Sequence, residues 1–288
     1  MPEVAHQIDV DVSGWVGSSR RDPVEWHRRQ AAEVALNALA DLLPEYEFRL
    51  KGGFLMGLVH GSPRMTTDID LSANFPPRPG ICSMINAALD AALRSSAARL
   101  GYVDIVVQVH SAKERPKGQF DRSRHPALKI KIVHFRRQSA HPRKPPARQY
   151  LDIDVSFNET IFLADVLRIS GERSLLAYGL AELIAEKYRA LLQQIPRRRR
   201  RRQDVYDLHY LLTENRIDDT LKREIFVMML AKCHAREIDP ERDSLDDPEL
   251  RRRSEEAWET LRVELGELPR FTTCYDLVKH FYRDLPWS

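Results

Sequence analysis

The stretch that decides the fold runs Glu47-Phe48-Arg49-Leu50-Lys51-Gly52-Gly53-Phe54-Leu55-Met56-Gly57-Leu58-Val59-His60-Gly61-Ser62-Pro63-Arg64-Met65-Thr66-Thr67-Asp68-Ile69-Asp70-Leu71-Ser72. A short apolar run at Phe48 and Leu50 stops at Gly52-Gly53, an amphipathic stretch follows to His60, and Gly61-Ser62-Pro63 marks a turn before Asp68-Ile69-Asp70-Leu71 alternates. The order this predicts is strand, helix, turn, strand. Successive side chains on a strand point to opposite faces, so Asp68 and Asp70 share one face while Ile69 and Leu71 enter the core.

Two carboxylates held side by side repel and raise one another's pKa unless a cation sits with them. Mg²⁺ suits such a pair, because it takes one or two protein carboxylates and completes its shell with water and substrate phosphates. Asp68 and Asp70 are therefore the candidate metal ligands of a nucleotide site. Gly52 and Gly53 fit the same chemistry, since residues without Cβ let backbone N–H groups at a helix start come close to a triphosphate.

Bulk properties bound the reading. With 288 residues, 43% of them hydrophobic, the chain is long enough for two cores. No run approaches the roughly 20 apolar residues that span a bilayer, and an N-terminus carrying Glu3, Asp9 and Asp11 is not a signal peptide. Cys82, Cys233 and Cys274 are odd in number and far apart, which argues against a disulfide framework or a zinc site and for a reducing compartment, the cytoplasm. The net charge is only +3, yet positive charge is concentrated: 12 Lys or Arg against 2 acids between Lys113 and Arg148, and an unbroken arginine run from Arg197 to Arg202. Such local fields attract polyanions, although solvated loops carry them too.

Outward from the central stretch, residues 1–20 show no sustained period and are assigned no core role. Trp26, Ala31, Val34, Ala35, Ala38, Leu39 and Leu42 recur at helical spacing between Pro23 and Leu43, with Asp22 as N-cap and Pro44 as the stop. After the Asp-x-Asp strand comes a proline-rich loop from Asn74 to Gly80, then a helix from Met84 to Leu100 capped by Ser83. Strands are expected at Tyr102 to His110, Ala127 to Phe135 and Tyr150 to Phe157. The last reads Leu151-Asp152-Ile153-Asp154-Val155-Ser156, so Asp152 and Asp154 share a face and one of them could serve as a third carboxylate. Lys129 and Lys131 share a face on the preceding strand and could reach phosphates. Arg136 to Arg148, with three prolines, reads as a stiff basic loop.

From about residue 175 the pattern is helical to the end, with helices expected at Leu180 to Gln194, Thr220 to Arg236, Pro248 to Glu264 and Cys274 to Arg283. Lys187 lies one turn from both Leu183 and Leu191, on or beside the buried stripe of its helix. An ammonium there needs an anion or must snorkel to water. Asp204 and Asp207 are three apart and lie beside Leu208 and Leu211, which points them inward. The class is α/β or α+β: a mixed sheet flanked by helices over residues 1–170, followed by an all-helical domain over residues 171–288 that completes an active-site cleft.

Gly52-Gly53, then Arg64-x-Thr66-x-Asp68-Ile69-Asp70-Leu71, resembles the nucleotidyltransferase superfamily of DNA polymerase beta and kanamycin nucleotidyltransferase. More narrowly, Lys51-Gly52-Gly53 with that strand, and Glu186-Lys187-x-x-Ala190-Leu191 followed by Asp204-Val205-Tyr206-Asp207-Leu208, is similar to the AbiEii/AbiGii family of nucleotidyltransferase toxins. The resemblance spans roughly residues 48 to 212, with Gln203 where an arginine is frequent. It implies a nucleotidyltransferase-fold domain in which Asp68 and Asp70 hold Mg²⁺ on an NTP. Gly52, Gly53, Arg64, Thr66 and Lys187 would be nucleotide-binding, and Asp154 the third carboxylate, since the family's matching strand carries its acid there. Lys187 and Asp207 would act with the Asp-x-Asp pair. Family members include toxins that modify the 3′ end of tRNA, so the resemblance further implies an RNA acceptor, foremost tRNA, and a cognate antitoxin. Transfer to a small molecule such as an aminoglycoside or to a protein, and a non-catalytic RNA-binding protein, are the competing expectations.

Overall fold

The computed structural model describes residues 4–42, 46–64, 66, 68–137 and 147–287. Pro44, Met65, Thr67 and the middle of the expected basic loop, residues 138–146, lie outside the described residues. In chain order the elements are β1 (Val4–Asp9), α1 (Val12–Gly17), α2 (Pro23–Leu42), β2 (Arg49–Lys51), α3 (Gly52–Val59), β3 (Asp68–Ser72), α4 (Ile81–Arg99), β4 (Ile105–Arg115), β5 (Ala127–Arg136), β6 (Gln149–Ser156), β7 (Ala164–Ser170) and β8 (Arg173–Tyr178). Helices α5 (Leu180–Leu192), α6 (Arg202–Glu214), α7 (Asp219–His234), α8 (Pro248–Glu255), α9 (Arg262–Leu265) and α10 (Phe271–Arg283) follow. The α/β class expected from the sequence is the observed one. The chain divides into two compact units, one of Met1–Val59 with Thr66–Ala177 and one of His60–Met65 with Tyr178–Ser288.

The first unit is built on an 8-stranded sheet in the order β1-β7-β8-β2-β3-β6-β5-β4. Strands β3 and β6 pair in parallel, whereas β2–β3, β5–β6 and β4–β5 are antiparallel. Ile69, Leu71, Ile153, Val155, Leu128, Ile130 and Ile132 are all buried, and they alternate with the polar residues of the same strands. Helix α2 starts as its sequence dictates. The Asp22 carboxylate accepts from the backbone N–H groups of Val24 at 3.0 Å and Glu25 at 3.1 Å, which satisfies two donors of the first turn.

Several elements differ from the sequence expectation, each for a local reason. Residues 1–20 do contribute: β1 pairs with β7, and Val12 and Val16 of α1 are buried. A short edge strand whose partner lies about 160 residues away has no local period to read. Helix α4 begins at Ile81, because Gly80 takes a positive φ of 79° and turns the chain straight into it, which leaves Ser83 inside the first turn. Strand β4 starts only at Ile105, since Tyr102 bonds back to Ala97 in closing α4. It continues to Arg115 because backbone pairing with β5 does not need apolar side chains. Strands β7 and β8, joined at Gly171-Glu172, carry the sheet through Tyr178, past residue 175 where the helical pattern is expected to begin. The expected helix Pro248 to Glu264 is interrupted at Ala257, whose φ is 62°, so that Trp258 can be buried in a 3₁₀ turn.

The second unit is helical apart from its link to β8. Tyr188, Leu191, Leu208, Leu211, Ile225, Met229, Val278 and Tyr282 fill its core. Among the described residues, no helix is long and apolar enough to cross a membrane.

Candidate functional site

In the first unit, register gathers the carboxylates. Asp68 stands opposite Asp152 and Asp70 opposite Asp154 across the parallel β3–β6 pair, so four acidic side chains share one face. Lys51 faces Asp70 from β2, and Lys129 and Lys131 face Asp154 and Asp152 from β5. One rank across the sheet therefore reads Lys51, Asp70, Asp154, Lys129, and the next Asp68, Asp152, Lys131.

The two aspartates of β6, equivalent by alternation, differ in their surroundings. Lys131 Nζ lies 2.9 Å and Lys129 Nζ 3.2 Å from Asp152, whereas Asp154 has only Lys129 at 3.5 Å. Burial pulls the Asp152 carboxyl up, but the hydrogen bonds from both lysines outweigh it and hold it below the usual range. For Asp154 the balance reverses: burial, with the negative charges of Asp68 and Asp152, outweighs Lys129 and raises its pKa. Lys129 is itself held above its ordinary value, since Asp154 and Asp152 overcome the cost of its burial. Of the two aspartates of β6, Asp154 is thus the one whose charge is compensated less.

Gly52 sits where β2 ends and α3 begins, with φ at +73°, and a Cβ there would lie 2.3 Å from Oδ2 of Asp70. Only glycine fits this turn, both for its backbone angle and because the Asp70 carboxylate rests against its Cα. Gly53 follows in the buried first turn of α3. Thr66 accepts a hydrogen bond from Arg28 on its carbonyl, and its hydroxyl lies 3.5 Å from the Asp68 carbonyl. Among the described residues no group of three or more His, Cys, Asp or Glu side chains is placed to hold a metal ion by itself. The donor set nevertheless fits Mg²⁺, which asks for one or two hard oxygen ligands from the protein and leaves the rest of its shell to water and phosphate. Asp68 and Asp70 could supply that pair, and the Asp70 carboxylate occupies the space that a Cβ on Gly52 would fill. The three cysteines are buried, and burial pushes each thiol up to about 12, so none is a nucleophile at neutral pH.

In the second unit, Arg64, Lys187, Asp204 and Asp207 come together. Lys187 Nζ donates to Asp207 at 2.6 Å and to Asp204 at 2.9 Å. Arg64 grips Asp207 with both Nε at 2.8 Å and Nη2 at 3.0 Å, the bidentate geometry of a guanidinium on a carboxylate. Arg201 adds a 3.4 Å contact to Asp204. Asp207 is 0% exposed, and although burial raises its pKa, Lys187 and Arg64 outweigh that and hold it below the usual range. Lys187 is likewise raised, because Asp204 and Asp207 overcome its desolvation. The anion that a lysine on a buried stripe requires is thus supplied by α6. The Arg64–Asp207 grip joins residues 143 apart, and no spacing rule could have revealed it. Lys51 was quoted in the motif but given no role, and its place opposite Asp70 emerges only from the β2–β3 register.

A family model described as "Nucleotidyl transferase AbiEii toxin, Type IV TA system" matches residues 34–276. A crystal structure described as a candidate nucleotidyltransferase from H. pylori is similar with a TM-score of 0.54 at 13% identity, over 90% of this chain and 92% of that one. The crystal structure of JHP933 from Helicobacter pylori is similar with a TM-score of 0.51 at 12% identity, over 90% of each chain. At such identity these likenesses speak for the fold alone. No curated protein sequence matches the chain.

Proposed function

Because the chain belongs to the AbiEii nucleotidyltransferase toxin family of toxin–antitoxin systems, we propose that it moves a nucleoside monophosphate from an NTP to a hydroxyl of RNA, foremost the tRNA 3′ end, with Mg²⁺. The observation that carries this reading is the face shared by Asp68, Asp70 and Asp154, with Gly52 cleared of any Cβ beside Asp70. Asp68 and Asp70 would hold the cation, which when bound neutralises triphosphate oxygens and stabilises charge in an in-line displacement. Gly52 and Gly53 would bring backbone N–H groups to the phosphates.

The acceptor oxygen attacks the α-phosphorus. As the new O–P bond forms, the bond to the bridging oxygen breaks and pyrophosphate leaves with the electron pair. Asp154 takes the hydroxyl proton, a task its incomplete compensation and raised pKa suit. Lys187 and Asp207, with Arg64 gripping Asp207, enter the proposal through the family's second signature, as residues required for transfer. The cytoplasm is the proposed site of action, and an antitoxin the expected protein partner.

The test is incubation of the purified chain with Mg²⁺, each α-labelled NTP in turn and total tRNA. Label on tRNA is expected with at least one NTP, falling about 1,000-fold in Asp70→Ala. Label only on a small molecule or a protein would overturn the RNA acceptor, and no label on any acceptor would overturn nucleotidyl transfer itself.

A further inference from the structure

Beyond Tyr150, the face that carries the aspartates continues across β5 and β4 with a different chemistry. On this side β5 presents Lys129 and Lys131, and β4 presents Lys113 in register with Lys129 and Arg115 two residues on. The opposite side of the same strands buries Leu128, Ile130 and Ile132. Gln108, His110, Lys113 and Arg115 are exposed, and Lys129 and Lys131 half-buried. At the edge of this basic surface, level with Gln108, stands Tyr150, 44% exposed on β6.

Tyr150 is held rather than loose. The His110 ring, at the bulge of β4, lies 5.5 Å from it at an interplanar angle of 59°. Lys131 Nζ lies 5.3 Å from the ring centroid while also pairing with Asp152 at 2.9 Å. Tyr150 precedes Asp152 by two residues and Asp154 by four on one strand, which puts it about 13 Å upstream of Asp154, the length of a few bases stacked at about 3.4 Å. An exposed aromatic ring with Lys131 beside it and Lys113 and Arg115 farther along the same face offers stacking for a base and charge for phosphates. A duplex, whose bases are already stacked, cannot use the ring.

We infer that the open face of β4, β5 and β6 binds the single-stranded end of the acceptor RNA, with a base stacked on Tyr150 beside His110 and Lys131, and with phosphates on Lys113, level with Asp154, and on Arg115 beyond it. The placement of the terminal hydroxyl toward Asp154 rests on the nucleotidyl-transfer reading; the binding surface does not. Stacking on an exposed ring together with a basic groove is the pairing by which single strands are held, and on that ground we argue nucleic acid rather than an acidic protein.

The experiment is fluorescence anisotropy on the full chain without NTP, using a labelled single-stranded RNA and a blunt RNA duplex of the same sequence. The single strand should bind more tightly than the duplex. Tyr150→Ala should weaken single-strand binding about tenfold, and Tyr150→Phe, which keeps the ring, should stay within about twofold. Lys113→Glu with Arg115→Glu should lower the salt dependence by about two phosphate contacts. In the transfer assay the acceptor KM should rise about tenfold in Tyr150→Ala while the NTP KM holds. Tyr150→Ala binding like wild type, or a duplex binding as well as the single strand, would overturn the inference. Transfer to a non-RNA acceptor without single-strand binding would also overturn it and leave nucleotidyl transfer standing. Tyr150-dependent binding without any transfer would uphold the surface and remove the catalytic reading.

Discussion

Two charged clusters of this chain are built on opposite principles. Around Asp207, each carboxylate is matched: Arg64 and Lys187 hold Asp207, and Lys187 and Arg201 hold Asp204, with Asp207 fully buried and its pKa lowered. On the β3–β6 face, four aspartates meet in register and Asp154 is raised. A buried network that balances its own charge contributes to holding its helices together. A half-open cluster in which one carboxylate is held above its usual range costs stability and is expected to be kept for a cation and a substrate.

The sharpest way to break the contrast is to neutralise one member of the balanced cluster. Asp207→Asn takes from Arg64 its bidentate partner, leaving Glu264 at 3.8 Å, and from Lys187 one of its two carboxylates, and should destabilise the fold by about 3–5 kcal/mol, read by urea or thermal unfolding. A loss below about 1 kcal/mol would mean the network is no more valuable than a surface pair.

The helix-covered side of the same sheet makes a second contrast through pH. His134 on β5 is 0% exposed, its ring 4.9 Å from that of His27 on α2, and neither ring has a hydrogen-bond partner among the described residues. Burial, with the positive charge of His27 and Arg28, lowers His134 to about 4. Around His27, burial and Arg136 act in the same direction, and Asp104 opposes them. A depressed histidine pKa favours the neutral form in the fold. The stabilisation is therefore present above the unfolded value of about 6.5 and lost as pH falls from there toward about 4, on the order of 3 kcal/mol in all. Replacing His134 with Leu should flatten the acid limb of a melting-temperature profile over that window; an unchanged limb would assign it to carboxylates instead.

A smaller stability effect, with a larger functional one, is expected at Gly52. Gly52→Ala must adopt a φ of +73° and place its Cβ 2.3 Å from the Asp70 carboxylate. The backbone strain should cost about 1–2 kcal/mol, while the displaced carboxylate should lower transfer about 100-fold. Melting and label-transfer measurements on the same preparation separate the two. Wild-type transfer would show that Asp70 tolerates the shift.

The carboxylate face was legible because each part of it is local. Gly-Gly after an apolar run, Asp68-Ile69-Asp70-Leu71 and Asp152-Ile153-Asp154-Val155 declare their turn and their alternation within a few residues. Pairing was not: that Asp70 stands beside Asp154, with Lys51 and Lys129 on its flanks, depends on which strands neighbour one another. The same limit hid β1, whose partner is far along the chain, and the grip of Arg64 on Asp207. Lys187 could be assigned a buried position and a need for an anion from spacing alone, but α6 had to be folded against α5 before that anion had a name. Of the surface of β4 to β6, the positive charge was legible in the run from Lys113 to Arg148, and the place of the aromatic ring beside it was not. The cations look like an ordinary exposed strand face, and only the register brings Tyr150, His110 and Lys131 to one place.

The most direct test of the central claim is nucleotidyl transfer by Asp154→Asn, with its melting temperature taken on the same sample. A carboxylate whose ionised form the fold disfavours can be neutralised without loss, so the variant should melt at or above wild type while transferring label at least about 100-fold more slowly. Transfer at the wild-type rate, or destabilisation as deep as that of Asp207→Asn, would contradict the account.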